Sequence, residues 1–298
     1  MPLSGNGGTL ARLRGFGLPV CLLTAALAAG AQADTPNLRV KMRIEGSGPV
    51  TVIFESGLGD TLGVWNRVQP EVAAGCARTV AYDRAGYGGS EPAGTPRDAA
   101  NIVAELRAAL RRRNIHPPYV LVGHSLGGLY MQYFARNYPQ EVAGLVLVDS
   151  SYWNQKLPLV PSTAALDPDG DPPPAGSSRW VVVFMPLIMR LEIMGSGAAG
   201  AEVHASPPAS GLPTVVLSST RRLAGETAAA EAREVRLQDD IAQEFPGSEH
   251  LRVPASGHYI QRDRPGVVVA AVRKLAGCGP AEPTPPRADR KTDAPVGR

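Results

Sequence analysis

Several shortages narrow this chain first. Its 298 residues carry a formal net charge of only +3 at pH 7, with no basic cluster of the kind that tracks a nucleic-acid backbone. The densest cationic run, Arg111-Arg112-Arg113, closes a helical segment, where cations suit the negative end of the dipole. The chain has three cysteines and five histidines, and none stand at metal-ligand spacing. No metal or other cofactor is therefore expected. The apolar run near its start, Phe16–Ala29, falls short of the roughly 20 residues a membrane-spanning helix needs.

That run has another reading. Arg12 and Arg14 precede it and Ala31-Gln32-Ala33 follows it, which is the order of a secretory signal: basic region, apolar region, small-residue cleavage site. Residues 1–33 are expected to be removed, leaving no stable membrane span and an exported protein, periplasmic or secreted. Cys76 and Cys278 would then remain in an oxidising compartment and could form one disulfide. Hydrophobic content of 44% and charged content of 19% are globular values.

What is present centres on residues 119–129. Tyr119–Val122 reads as a buried strand. Gly123-His124-Ser125-Leu126-Gly127 follows, and then an apolar helical pattern that Pro139 stops. Strand, sharp turn and helix are the setting that a G-x-S-x-G needs to carry chemistry. The turn strains the serine backbone, and glycines two residues to either side supply room. It lifts the Ser125 hydroxyl clear of the sheet and aims the Leu126 N–H and the helix N-terminus at the same point, where an oxyanion would be stabilised.

Around this turn, strands and helices alternate. Leu38–Ile44 reads as an edge strand, and Val50–Phe54, Arg78–Tyr82 and Val142–Asp149 read as buried strands. Helices are expected over 64–74 and Pro96–Asn114. The pattern predicts a mostly parallel sheet covered on both faces. A proline-rich insertion, 151–211, interrupts it and contains the strongly apolar stretch Trp180–Met194. The core resumes with strands at Thr214–Leu217 and Leu251–Pro254 and helices at Glu226–Ala242 and Pro265–Ala276. The domain plan is a signal at 1–33, core at 34–150, cap at 151–211, core at 212–278 and a disordered tail at 279–298.

Four segments in order, Glu55-Ser56-Gly57-Leu58-Gly59, Tyr82-Asp83-Arg84-Ala85-Gly86-Tyr87-Gly88-Gly89-Ser90, Gly123–Gly128 and Ser256-Gly257-His258-Tyr259, resemble the α/β-hydrolase superfamily in its serine-nucleophile, esterase- and lipase-like branch. The resemblance covers about residues 38–276. It implies an α/β-hydrolase fold with a cap inserted between two core strands. It also implies Ser125 as nucleophile, His258 as general base and a second oxyanion N–H from Leu58. Ser56 stands where many members carry histidine, a departure that backbone donors tolerate.

The acid is less determined. Many members carry it after the penultimate strand, but that strand here exits into Ser218-Ser219-Thr220-Arg221-Arg222, with no carboxylate. Asp149 is the first choice, Glu226 the second, with Asp239 and Asp240 behind them. Asp83 and Arg84 are expected to tie loops together near the site, so Asp83→Asn should cost stability more than chemistry. Gly57, His124 and Tyr259 are assigned to the substrate pocket, with the His124 ring turned from Ser125 into packing. Trp180–Met194 is read as a cap selecting a hydrophobic acyl or alcohol group.

The expected activity is hydrolysis of a small-molecule carboxylic ester through an acyl-enzyme. The alternatives are an aminopeptidase or amidase, or an acyltransferase, on the same triad. A non-catalytic binding module on a hydrolase scaffold is also open. An epoxide hydrolase or dehalogenase would want aspartate in place of Ser125. A peptidase would need acids to hold a free amine, and Glu192 and Glu202 are the clear acids of the later cap.

Overall fold

A computed structural model describes residues 38–75, 77–155, 185–221 and 228–279. The signal segment, Cys76, residues 156–184, Glu226 and all but the first residue of the tail lie outside the described residues. Seven strands form one sheet: β1 Met42–Glu45, β2 Thr51–Glu55, β3 Arg78–Tyr82, β4 Tyr119–His124, β5 Val142–Val148, β6 Thr214–Ser219 and β7 Glu249–Val253. They lie in the order β1-β3-β2-β4-β5-β6-β7. Only the edge strand β1 runs antiparallel, against β3; every other pairing is parallel.

β4 lies at the centre of that order and every residue of it is buried, as expected for a parallel strand covered on both faces. Its side chains alternate. Leu121 packs with α2 Ala99–Arg112, α3 Leu126–Asn137, α4 Leu187–Ala205 and α5 Ala228–Gln243. Val120 and Val122 pack on the other side with α1 Gln69–Ala73 and α7 Pro265–Leu275. A further short helix, α6 Ile260–Asp263, precedes α7. Period-2 alternation on the strands thus builds two cores, one on each face.

Element ends follow local chemistry. The Asp98 carboxylate caps α2 by accepting from the Asn101 N–H at 2.8 Å, and this moves the helix start inside the expected 96–114. Pro70 in α1 and Pro265 in α7 lie in the first turn, where a missing N–H costs nothing. The helix expected over 64–74 is instead a 3₁₀ turn, Leu62–Trp65, followed by the short α1.

The later part of the apolar stretch forms the start of α4, and its burial does not follow side-chain hydrophobicity. Glu192 is fully buried, as is Ile193, whereas Met194 is 75% and Leu187 62% exposed. A carboxylate inside and methionine outside require that something pair with the carboxylate. That something lies in the loops at the carboxyl ends of the strands.

Candidate active site

Sheet topology gathers the chemistry at one end. Glu55 ends β2, Arg84 follows β3, Ser125 follows β4, Asp149 follows β5, Ser219 ends β6 and His258 follows β7. These are carboxyl ends of parallel strands, where open α/β sheets place their ligand crevices.

Ser125 has φ 52° and ψ −126°, a left-handed conformation that costs a non-glycine residue free energy. The surroundings hold it there. Its N–H donates to Val148 O at 3.2 Å, and its carbonyl accepts from Gly128 N–H and Ser151 N–H, both at 2.9 Å. The glycines are required by space. A Cβ on Gly123 would sit 2.6 Å from Gly128 Cα, and one on Gly127 would strike Ser56 O. Ser125 is half-buried, and among the described residues its hydroxyl has no hydrogen-bond partner. The Leu126 and Leu58 N–H groups likewise have no internal acceptor among the described residues.

His258 and Asp149 meet directly, with Nδ1 2.7 Å from Asp149 Oδ2. The carboxylate is held on three sides. Oδ1 accepts from Ser219 N–H at 2.8 Å, and Oδ2 also accepts from Ser219 Oγ at 3.1 Å. Ser219, overlooked in the sequence because it is not acidic, therefore holds this carboxylate from the end of β6. Asp149 also takes a positive φ of 44° while its side chain is 4% exposed. The His258 side chain is 35% exposed. Burial draws its pKa down, but the hydrogen bond and charge of Asp149, helped by Glu234 and Asp60, leave it raised above the ordinary 6.5. A carboxylate on Nδ1 puts that proton on Nδ1 and leaves Nε2 as the basic nitrogen.

His124, expected in the substrate pocket, is buried and lies against His258. Its Nε2 donates to His258 O at 2.9 Å, and the two rings lie 4.7 Å apart. Burial, then the neighbouring His258 charge, push its pKa well below 6.5, so it stays neutral with its proton on Nε2. The expected packing role fits this placement. Tyr259 is half-buried against the His124 ring at 4.9 Å. Gly57 does face the serine: a Cβ there would lie 3.2 Å from Ser125 Cβ and 2.9 Å from His124 Nδ1.

Asp83 ties loops together as expected, accepting from Leu62 N–H at 2.8 Å and Gly89 N–H at 3.1 Å. Arg84 is more deeply engaged than the sequence indicated. It is buried and bonded to Glu55, to two carbonyls of the loop after β2 and to Glu192 on α4. Glu192 also accepts from Tyr87 Oη at 2.9 Å and lies 3.7 Å from Arg97. Glu202 accepts from Ala100 N–H at 3.0 Å, at the start of α2.

A serine, a histidine and an aspartate also meet at another place in the sheet. Ser218 Oγ lies 2.6 Å from His250 Nε2, and His250 Nδ1 lies 3.5 Å from Asp239. Ser218 is buried inside β6, and the next residue, Ser219, is still strand, so the residue after Ser218 opens no helix to supply oxyanion donors. Asp239 is committed to Arg252, which donates to both its oxygens at 2.8 Å, so its charge is already neutralised. Burial lowers the His250 pKa, only partly opposed by Asp239. This contact stabilises the edge of the sheet.

Among the described residues no group of histidine, cysteine and acidic side chains could hold a metal ion, and no helix is long and apolar enough to cross a membrane.

Comparison with known proteins agrees with this architecture. A family model for the alpha/beta hydrolase fold matches residues 50–173, which include the first three segments of the resemblance. Among curated relatives, YbdG of Bacillus subtilis is 31% identical over 126 residues, 40% of this chain and 37% of the relative. RutD of Pantoea ananatis is 40% identical over 105 residues, 33% of this chain and 36% of the relative. The chain thus spans little more than a third of either. Among solved structures, a thermophilic esterase from Thermogutta terrifontis superposes with a TM-score of 0.58 at 18% identity, covering 80% of this chain and 93% of that one.

Proposed function

We propose, from the premise that the chain belongs to the α/β-hydrolase superfamily and is a hydrolase, that it cleaves carboxylic esters by way of a serine acyl-enzyme. The observation that carries this reading is the Asp149–His258 pair at 2.7 Å, set at the same sheet end as a serine on a strained strand-to-helix turn. Ser125 Oγ attacks the ester carbonyl carbon while its proton passes to His258 Nε2. The carbonyl electron pair becomes an oxyanion, received by the Leu58 and Leu126 N–H groups. The intermediate collapses, and the leaving alkoxide takes the proton from His258. Water then attacks the acyl-enzyme by the same route and regenerates Ser125. The Ser125–His258 hydrogen bond is not made in the structure; such bonds often tighten only when substrate is bound.

Asp149 completes the triad in this reading. Of its rivals, Asp239 and Asp240 belong to α5, and Asp239 is bonded to Arg252. A serine at position 125 favours this chemistry over an epoxide hydrolase, whose nucleophile would be aspartate. Ester over peptide is supported by the cap acids: Glu192 is consumed by Arg84 and Tyr87, and Glu202 by the start of α2. Neither is free to bind a substrate amine. The hydrophobic group of the substrate is placed under the start of α4, where Met189 approaches Gly59 and Ile188 approaches Gly86. Export by the 1–33 signal completes the proposal.

A panel of p-nitrophenyl esters from acetate to palmitate, run beside amino-acid arylamides, tests it. Turnover of esters but not arylamides is expected. Turnover of arylamides alone would replace the esterase reading with the peptidase one.

A further inference from the structure

The guanidinium of Arg84 makes an unusually complete set of contacts. Its five N–H groups all find acceptors. Nε donates to Glu192 Oε1 at 2.9 Å and Nη2 to Glu192 Oε2 at 2.8 Å, a two-pronged grip on α4. Nη2 also donates to Gly57 O at 2.9 Å. Nη1 donates to Glu55 Oε1 at 2.6 Å and to Ser56 O. One buried cation therefore joins the end of β2, the loop after it and the cap helix.

The Gly57 contact, the shorter of the two this oxygen accepts (the other is Asp60 N–H at 3.3 Å), helps fix a direction. Gly57 C=O and Leu58 N–H belong to one peptide plane, and in a trans peptide they point opposite ways. The cis bond of the described residues is elsewhere, between Pro117 and Pro118. Holding Gly57 O toward Arg84 thus turns the Leu58 N–H away from Arg84. Gly57 itself lies against Ser125 Cβ. A flipped plane would present a carbonyl oxygen where the reaction needs a donor.

We propose that Arg84 is a positioning residue that sets the direction of the Leu58 N–H, and that Glu192 on α4 holds Arg84 in place, so that seating of the cap and readiness of the oxyanion donor are a single event. This rests on the serine-esterase reading above. The cap helix touches the same loop a second time, through Met189 against Gly59, where an added Cβ would come within 2.8 Å of Met189 Cε. Movement of α4 away from the core would release both contacts together. Lysine cannot replace arginine here, because a single ammonium lacks the planar fork.

The test uses the full chain with Arg84→Lys and Glu192→Gln, and with Glu141→Gln, which alters an ion pair to Arg107 elsewhere, as a control. Each is assayed for kcat and KM on a p-nitrophenyl ester and for affinity toward an alkyl trifluoromethyl ketone. Ser125 Oγ adds to that ketone carbon, giving its proton to His258 and leaving an oxyanion at the proposed donors. Melting curves establish that each variant is folded at the assay temperature.

Arg84→Lys is expected to lower kcat by roughly 10²-fold, the scale of losing one oxyanion donor. Ketone affinity should weaken in step while KM hardly moves. Glu192→Gln should show a smaller loss of the same kind, and Glu141→Gln none. If Arg84→Lys does not fold, Glu192→Gln decides. A folded Glu192→Gln with wild-type kcat overturns the proposal, and so does a kcat loss that leaves ketone affinity intact. Failure of the underlying reading looks different: Ser125→Ala would retain esterase activity, or the wild type would not form the ketone adduct.

Discussion

At the scale of single residues, the account depends on what surrounds one imidazole. His258 faces Asp149 at 2.7 Å, and the carboxylate outweighs burial to raise its pKa above 6.5. A general base acts when neutral. kcat/KM should therefore fall as pH drops through a value above 6.5, and the acid limb of the pH–rate profile measures that value directly. Asp149→Asn removes the cause. It should move the limb to lower pH and reduce kcat by about 10³–10⁴-fold, the scale seen when a triad acid becomes an amide. An unmoved limb would mean that Asp149 is not the partner that governs His258. The same raised pKa has a stability consequence of opposite sense. The charged pair stabilises the fold fully below the unfolded-state value of about 6.5, and that contribution is lost as pH rises through the folded value.

At the scale of elements, α4 is the part whose sequence misleads. The apolar stretch through Met194 suggests a helix that needs some burial, yet Leu187 and Met194 are exposed while Glu192 lies inside. Tertiary pairing decided the outcome: Arg84, 108 positions away, supplies the bonds that let a carboxylate be buried. The apolar residues that face the loops over the proposed site are Ile188 and Met189. Met189→Ala should shift the optimum of the ester panel toward longer or bulkier acyl groups, with little change in melting temperature because the side chain is only half-buried. An unchanged acyl profile would remove Met189 from the pocket wall.

At the scale of the whole molecule, the sheet is what the alternation of apolar strands and amphipathic helices made legible. β2, β4 and β5 are nearly continuous buried runs, and such runs separated by helices specify a parallel sheet. The serine turn was legible because its spacing is a steric requirement, visible at Gly123 and Gly127. Ser219 and Glu192 were not legible, because their roles arise from contacts across the sheet and from the cap that no local pattern encodes. A global constraint also acts at the end of α7. Cys278 is disulfide-bonded, and the partner expected from the sequence, Cys76, lies outside the described residues. Reduction should destabilise the protein by about 2–4 kcal/mol, the typical contribution of a disulfide. Thermal melting with and without reductant measures it, and identical curves would show that the bridge does not constrain the fold in solution.

The most direct test of the central claim is covalent. A fluorophosphonate forms a stable bond only with an activated hydroxyl that can lose its proton to a base. Intact mass after labelling should show one adduct on the wild type, located by peptide mapping at Ser125, and none on Ser125→Ala. An adduct that persists on Ser125→Ala would place the nucleophile elsewhere and contradict the account.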